Sequence, residues 1–340
     1  PTANQLKFSV PFQGGDDGLA PHTPIFKGNE SSLHANYSDG SNLYGFDLSS
    51  TSGGGYKAYK KAIDIISNQD EYDINMLAIP GVMAKYHSAV TTQAVNFVED
   101  RADCFYVMDL ATETATVASA NNQANGLDSN YAAVYYPWVK VLDTSRNKPI
   151  FVPPSVIVPA AIAASDRIGA EWFAPAGLNR GGIKNIVKLS WEATKAERDV
   201  MYQIGINPLI TQTGAGVVLW GDKTMQSVPS AFDRINVRRL FIVLEKAIAI
   251  AAKTMLFEFN DEFTRAQFVN LVSPFLRDVQ GRRGITDFKV VCDSSNNTGQ
   301  VIDTNNFVGD IYIKPARSIN FIQLNFIAAR TDVSFSEIGG

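Results

Sequence analysis

The sequence has 340 residues, 45% of them hydrophobic, and its 30 basic and 34 acidic side chains give a formal charge of −4. At about 150 residues per domain, this length predicts two domains with enough apolar material for a core. A charge balance near zero disfavours a dedicated nucleic-acid binder, which usually shows a basic surplus. Charged residues make up only 19% of the chain. A charged fraction this low is compatible with a surface that is partly buried against other chains.

Cysteine usage and the apolar runs limit the chemistry further. Cys104 and Cys292 are far apart and have no partner at metal-ligand spacing, so we expect neither a disulfide framework nor a metal site. The first ten residues lack the basic start and apolar run of a signal peptide. The most apolar stretches, 152–164 and 240–252, are interrupted by prolines or charges. We therefore expect a soluble protein with no direct membrane insertion.

The first half of the chain predicts a parallel α/β sheet. Residues 1–55 are rich in turn-forming residues, which predicts an irregular segment belonging to a domain that begins upstream. Amphipathic and buried patterns then alternate, which is typical of parallel sheets: a helix at 56–67, a strand at 74–81, a helix around Ser88 to Arg101, and strands at 104–110 and 131–141. Turn residues in WFAPAGLNRGG place a domain boundary near Gly181–Gly182, so this α/β domain covers 56–182.

The remaining residues, 183–340, are expected to form a mixed α+β C-terminal domain. Ser230, with Asp233 three residues later, is predicted to cap a long helix. A second helix is predicted to begin near Asp261, with a bend at Pro274. Strands are expected nearer the C-terminus, in the segments FKVVCD, GDIYIKP and SINFIQLNFIAA.

Few residues are arranged for catalysis. Of the three histidines, only His87 follows a strand and a Pro-Gly turn, a position that active sites of α/β sheets use. An α/β hydrolase-like enzyme with a site near Pro80–His87 is therefore the alternative function, although the sequence has no G-x-S-x-G nucleophile elbow. GAGVVLWG (214–221) places its glycines before a strand rather than a helix, so we expect no dinucleotide cofactor.

Two groups of basic residues occur in the second half. The first, inside the predicted long helix, consists of Arg234, Arg238 and Arg239. The second, at the end of the following helix, consists of Arg277, Arg282 and Arg283. Each group is compatible with helix-dipole compensation on a solvated surface, or with a basic patch that docks an acidic partner.

The segment near the C-terminus is apolar on both faces when extended, because residues in a strand alternate between its two sides. Two interpretations remain open: a central strand of its own domain, or a strand that joins the sheet edge of a neighbouring chain. In the second interpretation the subunit contact consists of Ile319, Asn320, Phe321, Ile322, Gln323, Leu324, Asn325 and Phe326.

Several sequence blocks, in their order along the chain, carry a family resemblance: WFAPAGLNRG (172–181), GVVLWGDKTM (216–225), INVRRLFIVLEKAI (235–248), FEFND (257–261), PARSINFIQLNF (315–326) and VSFSE (333–337). With these blocks the sequence resembles the contractile tail sheath proteins of T-even-like bacteriophages. GGGYKAY and INMLAIPG in the first half are similar but less diagnostic.

The resemblance implies a non-enzymatic structural subunit that polymerises in six-fold rings around a tail tube and contracts to drive the tube through the host envelope. The energy would be stored in a metastable extended lattice, so no cofactor or metal is implied. The implied partners are further sheath subunits, the tail tube protein, and baseplate and tail terminator proteins, with no nucleic acid. The implied location is the virion tail, assembled in the host cytoplasm.

The resemblance also gives roles to two sets of residues. Neighbouring subunits would exchange terminal strands, which corresponds to the second interpretation of the segment 319–326. Arg277, Arg282 and Arg283 become the candidates for the contact with the tail tube. Sheath subunits of this type are substantially longer, and their N-terminal arm is not recognisable here. We therefore expect the chain to be a C-terminal portion of the subunit, and whether it is monomeric on its own stays open.

Overall fold

The computed structural model describes residues 48, 51–84, 86–144 and 147–320. His22, His34 and residues 321–326 of the predicted C-terminal strand lie outside the described residues. In chain order the elements are α1 (Gly54–Ile65), β1 (Met76–Met83), α2 (Ser88–Arg101), β2 (Phe105–Asp109), α3 (Val117–Ala124), β3 (Ala132–Tyr136), β4 (Val139–Asp143), β5 (Lys148–Val152), α4 (Pro154–Ile168), α5 (Gly177–Arg180), β6 (Gly182–Ile183), β7 (Ile186–Leu189), α6 (Lys195–Ile204), β8 (Ile206–Gln212), β9 (Gly216–Leu219), α7 (Ile235–Ala252), α8 (Glu262–Gly281), β10 (Ile285–Val291), α9 (Gly299–Asp303) and β11 (Asp310–Pro315).

A six-stranded sheet with the order β1-β2-β3-β8-β9-β6 forms the centre of the fold. Its first four strands are parallel, and β9 and β6 extend it in antiparallel pairs. The parallel strands are continuous apolar runs because helices cover both faces of the sheet. Tyr106 and Met108 pack on the face that α1, α2 and α3 cover, whereas Phe105 and Val107 pack on the opposite face, against α4 and α7. The predicted α/β class is confirmed.

The boundary predicted at Gly181–Gly182 falls inside this sheet. Gly182 in β6 lies beside Val218 in β9, and β8, which follows the boundary in sequence, pairs with β3. The turn residues before Gly182 mark a change of strand within one sheet rather than a linker. A second difference concerns 131–141, which forms two strands, β3 and β4, because Pro137 between them has no N–H for a strand ladder.

A three-stranded antiparallel sheet, β5-β4-β7, follows the carboxyl end of β3. Val139 in β4 lies between Val152 in β5 and Leu189 in β7, and these three side chains join the core that α4 covers.

The C-terminal part is α+β, as expected. Asp261 caps α8 by accepting the Thr264 N–H at 2.8 Å, and Pro274 lies inside that helix. The predicted cap at Ser230 instead begins a single 3₁₀ turn, Ala231–Asp233, and α7 starts only at Ile235. Helix α7 joins the two parts of the protein. Its residue Ile242 packs under the large sheet, and its residue Leu244 packs with α8.

Candidate assembly site

Strands β10 and β11 form a separate two-stranded antiparallel sheet over α8. Its inner face is apolar: Phe288 lies beside Ile313 and Val290 beside Ile311, and all four side chains pack with α8. Among the described residues no third strand joins either edge. Because two strands alone are marginally stable in water, such a sheet depends on its helix and gains from any further strand. Its two edges can accept an extended peptide.

The chain beyond β11 is held against the rest of the protein before it leaves the described region. The Ala316 N–H donates to the Gly284 carbonyl at 3.1 Å, and the Asn236 side-chain amide donates to the Ala316 carbonyl at 3.4 Å. Two residues later the Ser318 hydroxyl donates to Oδ2 of Asp222 at 2.7 Å. These contacts fix where the apolar segment 319–326 begins.

Five residues form what we call the C-terminal latch: Tyr202, Asp222, Arg234, Ser318 and Asn320. The Tyr202 hydroxyl donates to Oδ1 of Asp222 at 3.2 Å, and Arg234 Nε lies 3.9 Å from the same oxygen. The Asn320 amide lies 2.7 Å from Tyr202 Oη. With its nitrogen toward Tyr202 and Asp222, its oxygen accepts from Arg234 Nε at 3.2 Å. In this orientation each donor of the latch faces an acceptor.

Asp222 is the centre of the latch and is 2% exposed. Burial raises the pKa of Asp222 above its ordinary value, although the Ser318 hydrogen bond and the charge of Arg234 act in the opposite direction. Burial likewise raises the pKa of the Tyr202 hydroxyl, and the neighbouring Asp222 charge adds to this rise. A buried carboxylate needs its donors, so the latch favours the conformation in which Ser318 and Asn320 are docked.

The arginines predicted to contact a tube are exposed near the end of α8. The Arg282 guanidinium lies 4.8 Å from the Trp172 ring centre, and its Nη1 is 3.8 Å from Oδ2 of Asp278. Trp172 Nε1 in turn donates to the Arg282 carbonyl at 3.1 Å. Arg283 has a left-handed backbone, with φ of 66°. The structure thus brings Arg277, Arg282 and Arg283 to one exposed region, and what they contact there stays a prediction.

The other arginine group is not a surface patch. Arg239 forms an ion pair with Asp166 of α4, at 2.8 and 2.5 Å. Arg238 is buried between two rings, 4.1 Å from the centre of Tyr131 and 3.9 Å from that of Phe232. For these two residues both interpretations from sequence were wrong, because the positions of arginines along a helix do not tell which face of it is buried.

His87 has a structural role. Its Nδ1 accepts the Met83 N–H at 3.0 Å, which ties the end of β1 to the start of α2 and occupies the nitrogen that a general base would use. Nearby, the buried Asp109 accepts hydrogen bonds from the Gly81 N–H at 3.0 Å and from Ser155, whose hydroxyl is 2.6 Å away. These groups join β1, β2 and α4 to one another. The described part of the chain gives the hydrolase alternative no support.

Within the described ranges, no cluster of His, Cys, Asp and Glu side chains could hold a metal ion. In the same part of the chain, no helix has the length and apolar character needed to cross a membrane. Both cysteines are buried and unpaired.

Two family models match the chain in succession. The phage tail sheath protein central domain matches residues 55–225, and the phage tail sheath C-terminal domain matches residues 227–329. The chain belongs to the phage tail sheath protein family. The break between the two models falls after the large sheet and before α7, some forty residues beyond the boundary expected from turn residues.

Curated relatives carry the same family name. The tail sheath protein of Enterobacteria phage T4 is 37% identical over 304 residues, which cover 82% of this chain and 46% of that protein. The tail sheath protein of Vibrio phage KVP40 is 50% identical over 214 residues, covering 63% of this chain and 31% of that protein. This member of the sheath family therefore spans about half or less of the length of these relatives.

Solved structures share the fold. The helical sheath of the anti-feeding prophage in its contracted state matches with a TM-score of 0.67 at 25% identity, covering 80% of this chain and 74% of that one. The sheath complex of the extracellular contractile injection system PVC, also contracted, matches with a TM-score of 0.66 at 22% identity, covering 76% and 72%.

The latch as a group was not predicted from the sequence, although Arg234 and Asn320 were singled out there for other reasons. Tyr202 and Asn320 are 118 residues apart, and Asp222 and Ser318 are 96 apart. Asp222 lies within GVVLWGDKTM and Ser318 within PARSINFIQLNF, two of the blocks that carry the resemblance. The only sequence signal for the contact between Asp222 and Ser318 was that both residues lie in blocks that carry the family resemblance.

Proposed function

We propose that the protein is a structural subunit of a contractile phage tail sheath. It polymerises with further copies in six-fold rings around a tail tube, and the sheath shortens to drive the tube through the host envelope. The observation that carries this proposal is the match to both the central and the C-terminal sheath domain, over 55–225 and 227–329. Its relative in the anti-feeding prophage forms a helical sheath with a contracted state.

The subunit acts without catalysis and without a cofactor, because the work comes from the difference in free energy between two lattices of the same chain. Its partners are other sheath subunits, the tail tube, and the baseplate and terminator proteins at the two ends of the tail. It is located in the virion, after assembly in the host cytoplasm. The relatives in the anti-feeding prophage include chains of a baseplate, which supports an association with that structure.

Strand exchange would connect the subunits. The segment 319–326 of one copy adds to an edge of the β10–β11 sheet of a neighbour, where main-chain hydrogen bonds join the two chains. Two features support this: the sheet has only two strands among the described residues, and the latch holds Ser318 and Asn320 at the start of the segment.

Electron microscopy of the full-length protein tests the proposal. We expect rings or tubes, and sheathed tubes when tail tubes are added. Deleting 321–340 leaves every latch residue in place and should abolish the polymers while the circular-dichroism spectrum stays the same. Normal polymers after this deletion would refute strand exchange.

The tube contact is tested separately. Arg282→Glu with Arg283→Glu should weaken binding to tail tubes at low salt, because an exposed charge contact is screened as salt rises. Arg198→Glu, a partly exposed arginine on α6, is the matched control. If both variants bind tail tubes equally well, the arginines at the end of α8 are solvated surface residues that do not contact the tube.

A further inference from the structure

An exposed group of aromatic side chains lies between the end of α7 and the first turn of α8. Phe257, Phe259 and Phe263 are 104%, 84% and 77% exposed, and Leu256 beside them is also exposed. We call these four residues the aromatic knob. Three exposed carboxylates, Glu258, Asp261 and Glu262, lie within the same stretch, and Asp261 is the one that caps α8. Monomeric proteins rarely expose contiguous apolar surface of this kind, and where they do it marks an interaction site.

The backbone of the knob is also strained. Phe257 has a φ of 72°, in the left-handed region that a bulky side chain seldom adopts. Its ring is fully exposed, so packing against the described residues does not offset this cost. A strained backbone conformation that no internal packing compensates is typical of functional positions.

A surface of opposite character lies on the outer face of the β5-β4-β7 sheet. Lys140 and Lys188 are directly opposite each other on neighbouring strands, and both reach over the Phe151 ring, at 5.0 and 5.9 Å from its centre. Leu142, two residues after Lys140 and therefore on the same face, is exposed. We call these four residues the lysine face. Like charges directly opposite each other destabilise a sheet, so this face favours an acidic partner.

The knob and the lysine face are at opposite ends of the parallel strands. Near the knob, Lys246 of α7 donates to the Ile74 carbonyl at 3.1 Å, and Lys253 lies 2.7 Å from Asp70; both partners precede β1. The lysine face follows the carboxyl end of β3 through Pro137. One copy can therefore present its knob to the lysine face of the next copy while its own lysine face remains free.

We propose that the aromatic knob of one copy docks on the lysine face of a second copy. Glu258 and Glu262 would meet Lys140 and Lys188, and the phenylalanine rings would cover Phe151 and Leu142. Such a contact joins two different surfaces, so it does not close on itself in a dimer and continues into rings or helical polymers. The inference rests on the proposed self-assembly and assigns to it an interface separate from strand exchange.

A pair of cysteines tests the contact in the full-length protein. Phe259→Cys combined with Lys188→Cys should give a ladder of disulfide-linked oligomers on non-reducing gels, because each link uses one cysteine from each of two copies. The native Cys104 and Cys292 are buried and give little background. Phe259→Cys combined with Arg198→Cys, on another surface, is the matched control and should give no ladder.

Charge exchange tests the same contact without cross-linking. Lys140→Glu with Lys188→Glu should raise the critical concentration for polymerisation by about tenfold, and adding Glu258→Lys with Glu262→Lys should restore it. Polymers that form without the ladder, or at an unchanged critical concentration, would overturn this interface alone. Failure of the unmodified protein to polymerise at all would overturn the proposed function.

Discussion

Ser318 donates a hydrogen bond over 2.7 Å to Asp222, a carboxylate that is 2% exposed and 96 residues earlier in the chain. This contact lies at the point where the chain leaves the folded body toward the segment proposed to join a neighbouring subunit. The chain is thus attached to the folded body at Ser318, before any partner binds.

Ser318→Ala should release this attachment. It removes one donor from a buried carboxylate, so the free energy of unfolding should fall by about 1–3 kcal/mol in urea titrations. Trypsin should cut faster after the adjacent, exposed Arg317. Ser295→Ala is the matched control, because Ser295 makes an exposed hydrogen bond of 2.5 Å to Asp293 and its loss should cost little. Equal effects of the two variants would show that the latch contributes no stability.

Asp109 predicts a pH dependence of stability. Burial raises the pKa of this carboxyl from 3.8 to about 6, so the folded chain holds the proton more tightly than the unfolded chain does. The free energy of unfolding should therefore decrease by about 3 kcal/mol between about pH 4 and pH 6 through this group, and stay level above that range.

The comparison with Asp109→Asn isolates this effect. The variant cannot ionise, so its stability relative to the unmodified protein should rise across the same pH range. Asp303→Asn, at an exposed position, is the matched control for the substitution itself. Urea titrations at several pH values provide the measurement, and a constant difference for Asp109→Asn would contradict the assigned pKa.

Arg239 connects α7 to α4 through its ion pair with Asp166, whose shortest N–O distance is 2.5 Å. Arg239→Ala leaves a largely buried carboxylate without its partner, so unfolding should become easier by about 3–5 kcal/mol. The control is Lys60→Ala, which breaks the exposed Lys60–Asp64 pair of α1 and should change stability little. A small effect at Arg239 would mean that water solvates Asp166 readily.

Local patterns in the sequence predicted much of this fold. Apolar spacing identified the helix at Ser88–Arg101, and the cap at Asp261 gave the start of α8 within one residue. Pairings between distant segments were not predictable in this way. The β3–β8 pairing crosses the expected domain boundary, and the latch joins Asp222 to Ser318. Burial of Arg238 and Arg239 depends on Tyr131 and Asp166, which no spacing rule connects to α7.

Gly181 and Gly182 form a natural pair for a last test, because only one of them is closely surrounded. A Cβ on Gly181 would lie 2.8 Å from both the Gly177 nitrogen and the Leu219 carbonyl oxygen, whereas a Cβ on Gly182 meets nothing within 4 Å. The Gly181 carbonyl also accepts the Leu219 N–H at 2.8 Å, which holds β9 in place.

Gly181→Ala should lower the free energy of unfolding by about 1–3 kcal/mol, because backbone atoms cannot move aside as the end of a side chain can. Exchange of the Leu219 amide hydrogen should also become faster as the contact loosens. Gly182→Ala should change stability by less than about 0.5 kcal/mol. If both variants behave alike, the close approach at Gly181 carries no energetic cost, and the glycine there serves only the turn between α5 and β6.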